Sequence, residues 1–543
     1  MIRITGLPVE LDFKRENLIR AAAKKLRLPE KALHDVRLCK KSVDARKKDR
    51  VHFVCAVEAA IDGDENRLVS RLKDQKIQLA PQRRYQLPEA SRLPQRPLVV
   101  GFGPAGMFAG LVLAQCGQRP IILERGECVE KREKTVTKFW MERTLKKSSN
   151  VQFGEGGAGT FSDGKLTTGT NDIRIRKVLE ELAEAGAPEE ILYEAKPHIG
   201  TDRLPGTVKA IRERILSLGG EVRFETAVTG LRSREGALCG LELDRAGARE
   251  VLECSQVILA IGHSARDTFE TLFAAGIPMQ AKAFSVGARI EHPQELIDRA
   301  QYGGFAGAPR LGAADYKLSC HLENGRGVYT FCMCPGGYVT GAASEPGGVV
   351  TNGMSPYARD GANSNAALLV GVAPEDYGAE GPLAGVQFQR RLERLAFRAA
   401  GEGYGAPAQR VEDFLTGKST ACFGAVKPTY QPEAVPGSLN ACLPEFVTES
   451  MREGIRRMGK QLSGFDWGDA VLTAPETRSS SPVRILRGED CQSLGMRGLY
   501  PCGEGAGYAG GIVSAAVDGI RCAEAVLGFA GKQGRRQEGA SDD

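Results

Sequence analysis

The chain of 543 residues contains no Cys-x-x-Cys, and none of its 14 cysteines falls into zinc spacing with histidine. The sequence signatures of a thioredoxin-like redox motif and of a structural zinc site are therefore missing, and no metal is expected. The cysteines are scattered, from Cys39, Cys55, Cys116 and Cys128 onward. They read as reduced, half-buried small apolar residues of a cytoplasmic protein. The opening residues, MIRITGLPVE, have neither the basic nor the apolar region of a secretory signal. No apolar run approaches the about 20 residues of a membrane span. The nearest, Leu98–Leu123, is broken by Pro104, by several glycines and by Arg119, so a membrane is not an expected partner. Charge of one sign is also scarce, with a formal net charge of only +6. It is uneven: Met1–Arg96 holds 23 basic and 13 acidic residues, an asymmetry that suits an acidic partner for that part.

Glycine, by contrast, is abundant at 66 residues, as expected where many loops approach a ligand closely. The chain is organised around Leu98–Gly126, LVVGFGPAGMFAGLVLAQCGQRPIILERG. Leu98–Val100 reads as a buried parallel strand, Ala105 to about Gln115 as a helix, and Pro120–Leu123 as a second strand ending in Glu124. Gly101, Gly103 and Gly106 stand in G-x-G-x-x-G spacing between the first strand and the helix. Together these form a dinucleotide-binding βαβ unit. Gly101 permits the tight turn, Gly103 lets backbone approach a pyrophosphate, and Gly106 lets the helix pack against the sheet. The helix N-terminus offers free N–H groups to the pyrophosphate. Glu124 is placed to accept hydrogen bonds from ribose hydroxyls and would repel the 2′-phosphate of NADP.

Residues 1–88 read as a small α+β domain in the order βαββαβ, a ferredoxin-like arrangement, with a linker over 89–96. Its strands are expected at Met1–Ile4, Val36–Leu38, Val51–Val57 and Lys76–Leu79. Lys40, Lys41, Arg46, Lys47, Lys48 and Arg50 fall in or beside a hairpin. They read either as a grip for nucleic acid or a phosphorylated partner, or as a solvated hairpin. No aromatic residues interleave with them to make a stacking platform.

Beyond Glu124 a basic helix carries Arg132, which either reaches a cofactor phosphate or is surface charge. Gly154–Lys165 reads as a loop lying against a flat ligand, with Phe153 and Phe161 arguing against free exposure. Leu231–Leu252 has the pattern of a β-meander, and Val257–Gly262 of a buried strand ending in glycine. Residues of about 283–470 read as an inserted, largely antiparallel domain, the usual substrate-facing wall. Within it Cys332 and Cys334 lie two apart on an expected strand, sharing one face, either as simple packing or as a redox dithiol. Val349–Asn365 reads as a pocket-lining segment or an ordinary long loop. Gly498–Glu504 then forms a strand running into a Gly-acid pair, Gly511–Ala523 opens a small-residue helix, and Gly531–Asp543 reads as a disordered tail.

These motifs resemble the FAD-binding pattern of the glutathione-reductase-like flavoprotein superfamily. The stretches Val151–Leu166, Gly262–Asp267, Asn352–Ser355 and Pro501–Ile512 are similar, more closely, to the bacterial family of uncharacterised FAD-dependent dehydrogenases, over nearly the whole chain. The resemblance implies an α/β fold: a Rossmann-like FAD-binding domain (97–282 and 471–530), an inserted mainly antiparallel β domain (283–470) and the N-terminal ferredoxin-like domain. It implies FAD, with Gly101, Gly103, Pro104, Ala105 and Gly106 at the pyrophosphate. Glu124 and its neighbour Arg125 would lie at the adenosine ribose, Val228 behind the adenine, and Arg132 toward a phosphate. Phe161, Asp163, Gly164, Lys165 and Leu166 would lie near the flavin, and Ala260, Gly262, Gly503, Glu504, Gly511 and Ile512 would complete the site. Glu504 stands where the superfamily more often has Asp. No second Rossmann half for NAD(P)H and no Cys-x4-Cys of disulfide reductases is present, so NAD(P)H is expected at most as a transient donor. The implied activity is an FAD-dependent oxidoreductase passing hydride between flavin N5 and a small organic substrate. Lys165, His263 and Arg359 are its polar candidates, and no catalytic acid or base is assigned. The alternative is an FAD-containing protein that binds or modifies RNA through its basic N-terminal domain. The oligomeric state is left open.

Overall fold

The computed structural model describes residues 1–81 and 84–528; the expected tail, Gly531–Asp543, lies outside the described residues. The chain is α/β. Five parallel strands lie in the order Leu499–Pro501, Val257–Leu259, Leu98–Val100, Ile121–Leu123 and Glu221–Arg223. All but the last are buried throughout, because both faces of the sheet are covered. Val99, Ile122, Ile258 and Tyr500 pack with Pro104–Gln115, Leu204–Ser217 and Ile512–Val526. Leu98, Val100, Leu123 and Leu259 pack the other way, onto Leu238, Leu241 and Leu243. Those leucines belong to the expected meander, Thr226–Arg234, Ala237–Arg245 and Ala248–Glu253.

The inserted region is built on a seven-stranded sheet in the order Ser319–His321, Gly327–Cys334, Asn363–Val372, Phe284–Pro293, Val471–Glu476, Ala406–Arg410 and Ala434–Pro436. Neighbours are antiparallel except the last pair. Three corrections follow. Val471–Glu476 belongs to this sheet, so the boundary expected at 470 moves past Glu476. Val349–Asn365 is not a long loop, since it contains the strand Thr351–Met354 and the start of Asn363–Val372. The region also carries the helices Gln294–Tyr302, Ala384–Ala399 and Glu445–Gly459, which the largely antiparallel reading did not place. Where the chain enters and leaves the insert, Met279–Ala281 and Val483–Ile485 pair as an antiparallel ribbon.

The N-terminal strands Ile2–Val9, Leu33–Asp44, His52–Ile61 and Ile77–Leu79 form an antiparallel sheet in the order second, third, first, fourth. A βαββαβ chain gives this order. Of the basic run, Lys40, Arg46, Lys47, Lys48 and Arg50 are exposed and Lys41 is half-buried. Lys40 and Lys41 lie inside the second strand, and Lys41 pairs with Glu194 at 2.6 Å. The backbone N–H of Lys41 donates to the Tyr193 carbonyl at 2.7 Å, Lys48 donates to the Gln301 carbonyl, and Arg310 to that of Phe13 at 2.6 Å. One hydrophobic cluster runs from this domain into the insert, from Ile4 and Phe53 to Leu311 and Phe465. Among the described residues no helix is long and apolar enough to cross a membrane.

The two large sheets are joined by a buried charge network. Glu393, 1% exposed, accepts from Arg266 at 2.7 and 2.8 Å, from Arg478 at 3.1 and 3.0 Å and from Thr477 at 2.7 Å. Removing the carboxylate leaves the buried Arg478 guanidinium without a carboxylate partner and Arg266 with Glu345 alone. Glu393→Ala is expected to cost about 3–5 kcal/mol, read from the denaturant midpoint. At the edge of this network burial pushes the Glu345 carboxyl up, but Arg390 and Arg266 outweigh it and hold it at about 2. Its stabilisation is therefore present above its ordinary value of 4.5 and lost as pH falls toward 2. Glu345→Gln should flatten the acid limb of a stability–pH curve across that window.

Candidate functional site

A cavity of about 840 Å³ opens between the C-terminal edge of the parallel sheet and the seven-stranded sheet. It is toward the upper end of the about 300–1,000 Å³ usual for small-molecule and cofactor sites. At its first end Gly101 turns out of Leu98–Val100 with φ +95°, and a Cβ there would lie 2.3 Å from the Ala260 carbonyl oxygen. A Cβ on Gly106 would lie 1.9 Å from the Gly101 carbonyl oxygen. Both glycines serve the packing of the protein itself, and Gly106 is not on the wall. Gly103 differs: its Cβ would meet only the Gly157 Cα, at 3.7 Å. Its bare Cα caps Pro104–Gln115, and Gly103, Pro104 and Ala105 all line the cavity. The unpaired N–H groups of a helix N-terminus are thus set beside open space.

Glu124 ends the second parallel strand and is 4% exposed. One carboxylate oxygen accepts the Phe102 N–H at 2.8 Å, and the other those of Gly126 at 2.8 Å and Gly154 at 3.0 Å. Glu124 therefore knots the two glycine-rich loops together as well as lining the cavity. Arg125 also lines it, but its guanidinium is engaged by Asp267 at 3.0 and 3.1 Å. Val228, Ala260, Gly262, Gly511 and Ile512 are on the wall as well. His263 approaches Glu504 at 3.4 Å through Nδ1, while its buried Nε2 has no partner among the described residues. Glu504 lines the cavity and Gly503 stands behind it. The Gly503 N–H donates to Asp518 at 2.7 Å, and Arg487 grips the same carboxylate at 2.6 and 2.9 Å.

Several expected site residues do not reach the wall. Arg132 is wholly buried, and it donates to the carbonyls of Asn150, Val151 and Glu155 at 2.9, 3.0 and 2.6 Å. With its N–H groups spent on backbone it is neither a phosphate ligand nor surface charge. Phe161 packs on it, ring to guanidinium at 4.9 Å, and against Trp140. Leu166 is core, and the Gly164 N–H turns back to Ser162. Asp163 lies buried behind Lys165, bonded to Lys165, Arg359 and Ser355 at 2.7 Å each. Burial pushes the Asp163 carboxyl up, yet Lys165 and Arg359 outweigh it and hold it well below the carboxylate range.

Lys165 and Arg359 face the cavity at its second end with Arg289, Cys332, Asn352 and Glu476. Arg289 was not foreseen. It is 1% exposed and bonded to Glu476 at 3.1 Å twice, to Asn352 and Asn365 at 3.2 Å and to the Cys332 carbonyl at 2.9 Å. Its signal in the sequence was a charge inside the apolar run Phe284–Pro293, which is justified only by a buried partner. Seven Lys and Arg side chains line the cavity against four Asp and Glu.

Residues 283–479 match the family described as "FAD-dependent protein, C-terminal domain-like", and residues 1–60 match a domain of unknown function, DUF8436. A protein of Clostridium beijerinckii (strain ATCC 51743 / NCIMB 8052), named "Uncharacterized protein", is 47% identical over 529 residues, covering 97% of this chain and 98% of that one. The chain belongs to the family of that clostridial protein. Its cofactor is FAD. Among solved structures, glycine oxidase from Bacillus cereus ATCC 14579 aligns with this FAD-dependent protein over 80% of the chain and 97% of its own, at 10% identity and a TM-score of 0.35. The flavin-dependent halogenase CmlS aligns over 82% and 60%, at 14% and 0.37. CtdE in complex with FAD aligns over 79% and 82%, at 12% and 0.31.

The FAD-dependent protein has room and chemistry for its cofactor in the bare cradle at Gly103, the unpartnered Nε2 of His263 and the excess of cations. Gly103→Ala places a Cβ in the cradle at ordinary contact, 3.7 Å, from the Gly157 Cα, so apoprotein stability should change by less than about 0.5 kcal/mol while bound flavin absorbance falls. Gly106→Ala strikes the Gly101 carbonyl, so it should lower stability by about 1–3 kcal/mol, read from the denaturant midpoint.

Proposed function

We propose that the protein is an FAD-dependent oxidoreductase, a dehydrogenase of the glutathione-reductase-like kind, in which hydride passes between flavin N5 and a small organic substrate seated against the seven-stranded sheet. The observation that supports this most is the continuity of one cavity. A dinucleotide-type helix N-terminus stands at one end, and the polar cluster of Lys165, Arg359 and Arg289 at the other.

In this reading Gly101, Gly103, Pro104, Ala105 and Gly106 form the pyrophosphate turn. Glu124 and Arg125 border the adenosine ribose, Val228 backs the adenine, and Ala260 and Gly262 leave the middle of the site open. Gly503 and Glu504 meet the ribityl end, and Gly511 and Ile512 direct a helix N-terminus toward the ring, where negative charge grows on reduction. FAD, when bound, supplies the two-electron chemistry. The chain's own residues orient the substrate. Asp163 balances one of the two cations Lys165 and Arg359, so one positive charge is left to hold a carboxylate or another anionic group. Tyr316 and Asn352 close the wall beside them, and His263 Nε2 is the unpaired polar atom available to bond the cofactor.

The purified protein should be yellow, and its flavin should bleach anaerobically with an organic donor carrying an anionic group. NADH and NADPH, added separately, test the transient-donor role. A flavin that is bleached by dithionite but by no organic donor and no pyridine nucleotide would overturn the oxidoreductase reading in favour of a structural cofactor.

A further inference from the structure

We infer that Cys332 and Cys334 are a redox-active pair on the wall of the FAD cavity, Cys332 facing the cofactor's space and Cys334 lying behind it as the resolving thiol. This rests on the proposed use of the cavity and adds an electron relay within the chain.

The strand Gly327–Cys334 does not end regularly. Phe331 lies opposite Ala367 and Cys334 opposite Asn365, so two residues, Cys332 and Met333, face the single Ala366. Such a bulge re-aims side chains and recurs beside active sites. Cys332 takes φ +43° within it, a left-handed conformation that a non-glycine residue holds only where surrounding structure over-determines it. The determinants are visible. Lys165 donates its ammonium to the Met333 carbonyl, and Arg289 donates to the Cys332 carbonyl at 2.9 Å. Two of the three cations of the polar cluster thus clamp the bulge by its successive carbonyls. Cys332 is half-buried and lines the cavity, while Cys334 is completely buried with its thiol directed at the Cys332 carbonyl, 3.3 Å away.

This surrounding divides the two thiols chemically. The hydrogen bond from Cys334, reinforced by Lys165 and Arg289, holds the Cys332 thiol well below the ordinary thiol range. The same bond, with burial, pushes Cys334 up. One thiolate beside one protonated thiol is the arrangement that thiol–disulfide chemistry needs. Cys502 also touches the cavity, but burial pushes its thiol up and Asp518 adds to this.

The step balances within the protein and its cofactor. The Cys332 thiolate and the Cys334 thiol form one S–S bond, and the Cys334 S–H bond breaks. The sulfur pair is oxidised by two electrons, and these together with the released proton are taken up by oxidised FAD. The reverse transfer reopens the disulfide.

The holoprotein, oxidised with ferricyanide and titrated anaerobically with dithionite, should take up two electron pairs per bound FAD, and Cys332→Ser and Cys334→Ser should each take up one. A readout without cofactor accompanies it. Ferricyanide-treated apoprotein, quenched and alkylated with iodoacetamide, should yield the 332–334 peptide as an internal disulfide. In the reduced native apoprotein Cys332 should alkylate at about pH 6, below the ordinary thiol pKa of about 8.5, at least about tenfold faster than the exposed Cys422. One electron pair in the native protein, or a doubly alkylated peptide after oxidation, overturns the pair. A protein that takes up no FAD defeats the proposed function, and the peptide result then still decides for or against the disulfide.

Discussion

Backbone pressed against bare Cα sets the spacing of the parallel-sheet half. The Gly101 carbonyl lies where a side chain on Gly106 would begin. The same relation recurs between Ala105 and Gly519, where a Cβ would lie 2.0 Å from the carbonyl oxygen, and between Gly262 and Gly505, at 2.4 Å. Two helices are thereby drawn onto the parallel sheet and onto each other, Pro104–Gln115 along Ile512–Val526. That approach brings their N-terminal ends to one cavity. At wider spacing the strand ends and N–H groups would no longer converge, and Glu124 would not reach both loops with one carboxylate.

Buried charge does the corresponding work elsewhere, and each case is compensated differently. Arg132 is surrounded by carbonyl dipoles, and burial draws it down to about 10; it acts as a cross-link between loop segments. Arg266 shares carboxylates with Arg478 across the junction of the two sheets. Arg289 is paired with Glu476 within one sheet and extends two further hydrogen bonds to asparagines. Isolated charges at such depth would be untenable, so each fixes the position of the chain that satisfies it.

The glycines at 101, 103 and 106 and the acid at 124 were legible because their roles act on backbone, where few residue types serve. Arg132 was misread because its charge argued for surface. Its spacing with Val129, Val136 and Phe139, all buried on the same stripe, argued for interior, and periodicity was the better guide. The motif around Phe161–Leu166 was found, but a motif does not say which of its members line a cavity; here Lys165 does, while Asp163 and Leu166 lie behind the wall. Glu476 lies 187 residues from Arg289, a separation that only tertiary structure closes. The bulge at Cys332 leaves no mark in composition, since it is one extra residue against a regular partner. The helix Ala384–Ala399 was legible in principle, with Val386, Leu392 and Ala396 buried, and was missed because the region was read for its strands and glycine turns.

The ribbon of Met279–Ala281 and Val483–Ile485 has a mechanical meaning. A domain tethered by two separate strands of chain can swivel about each. Here both tethers are hydrogen-bonded into one strip, stiff against twisting and soft only to bending across its face. The N-terminal domain bridges the same junction, bonded to the insert through Lys48 and Arg310 and to Tyr193 and Glu194 through Lys41. Strip, bridge and the Glu393 network thus tie the seven-stranded sheet to the parallel sheet at three separate places along the chain.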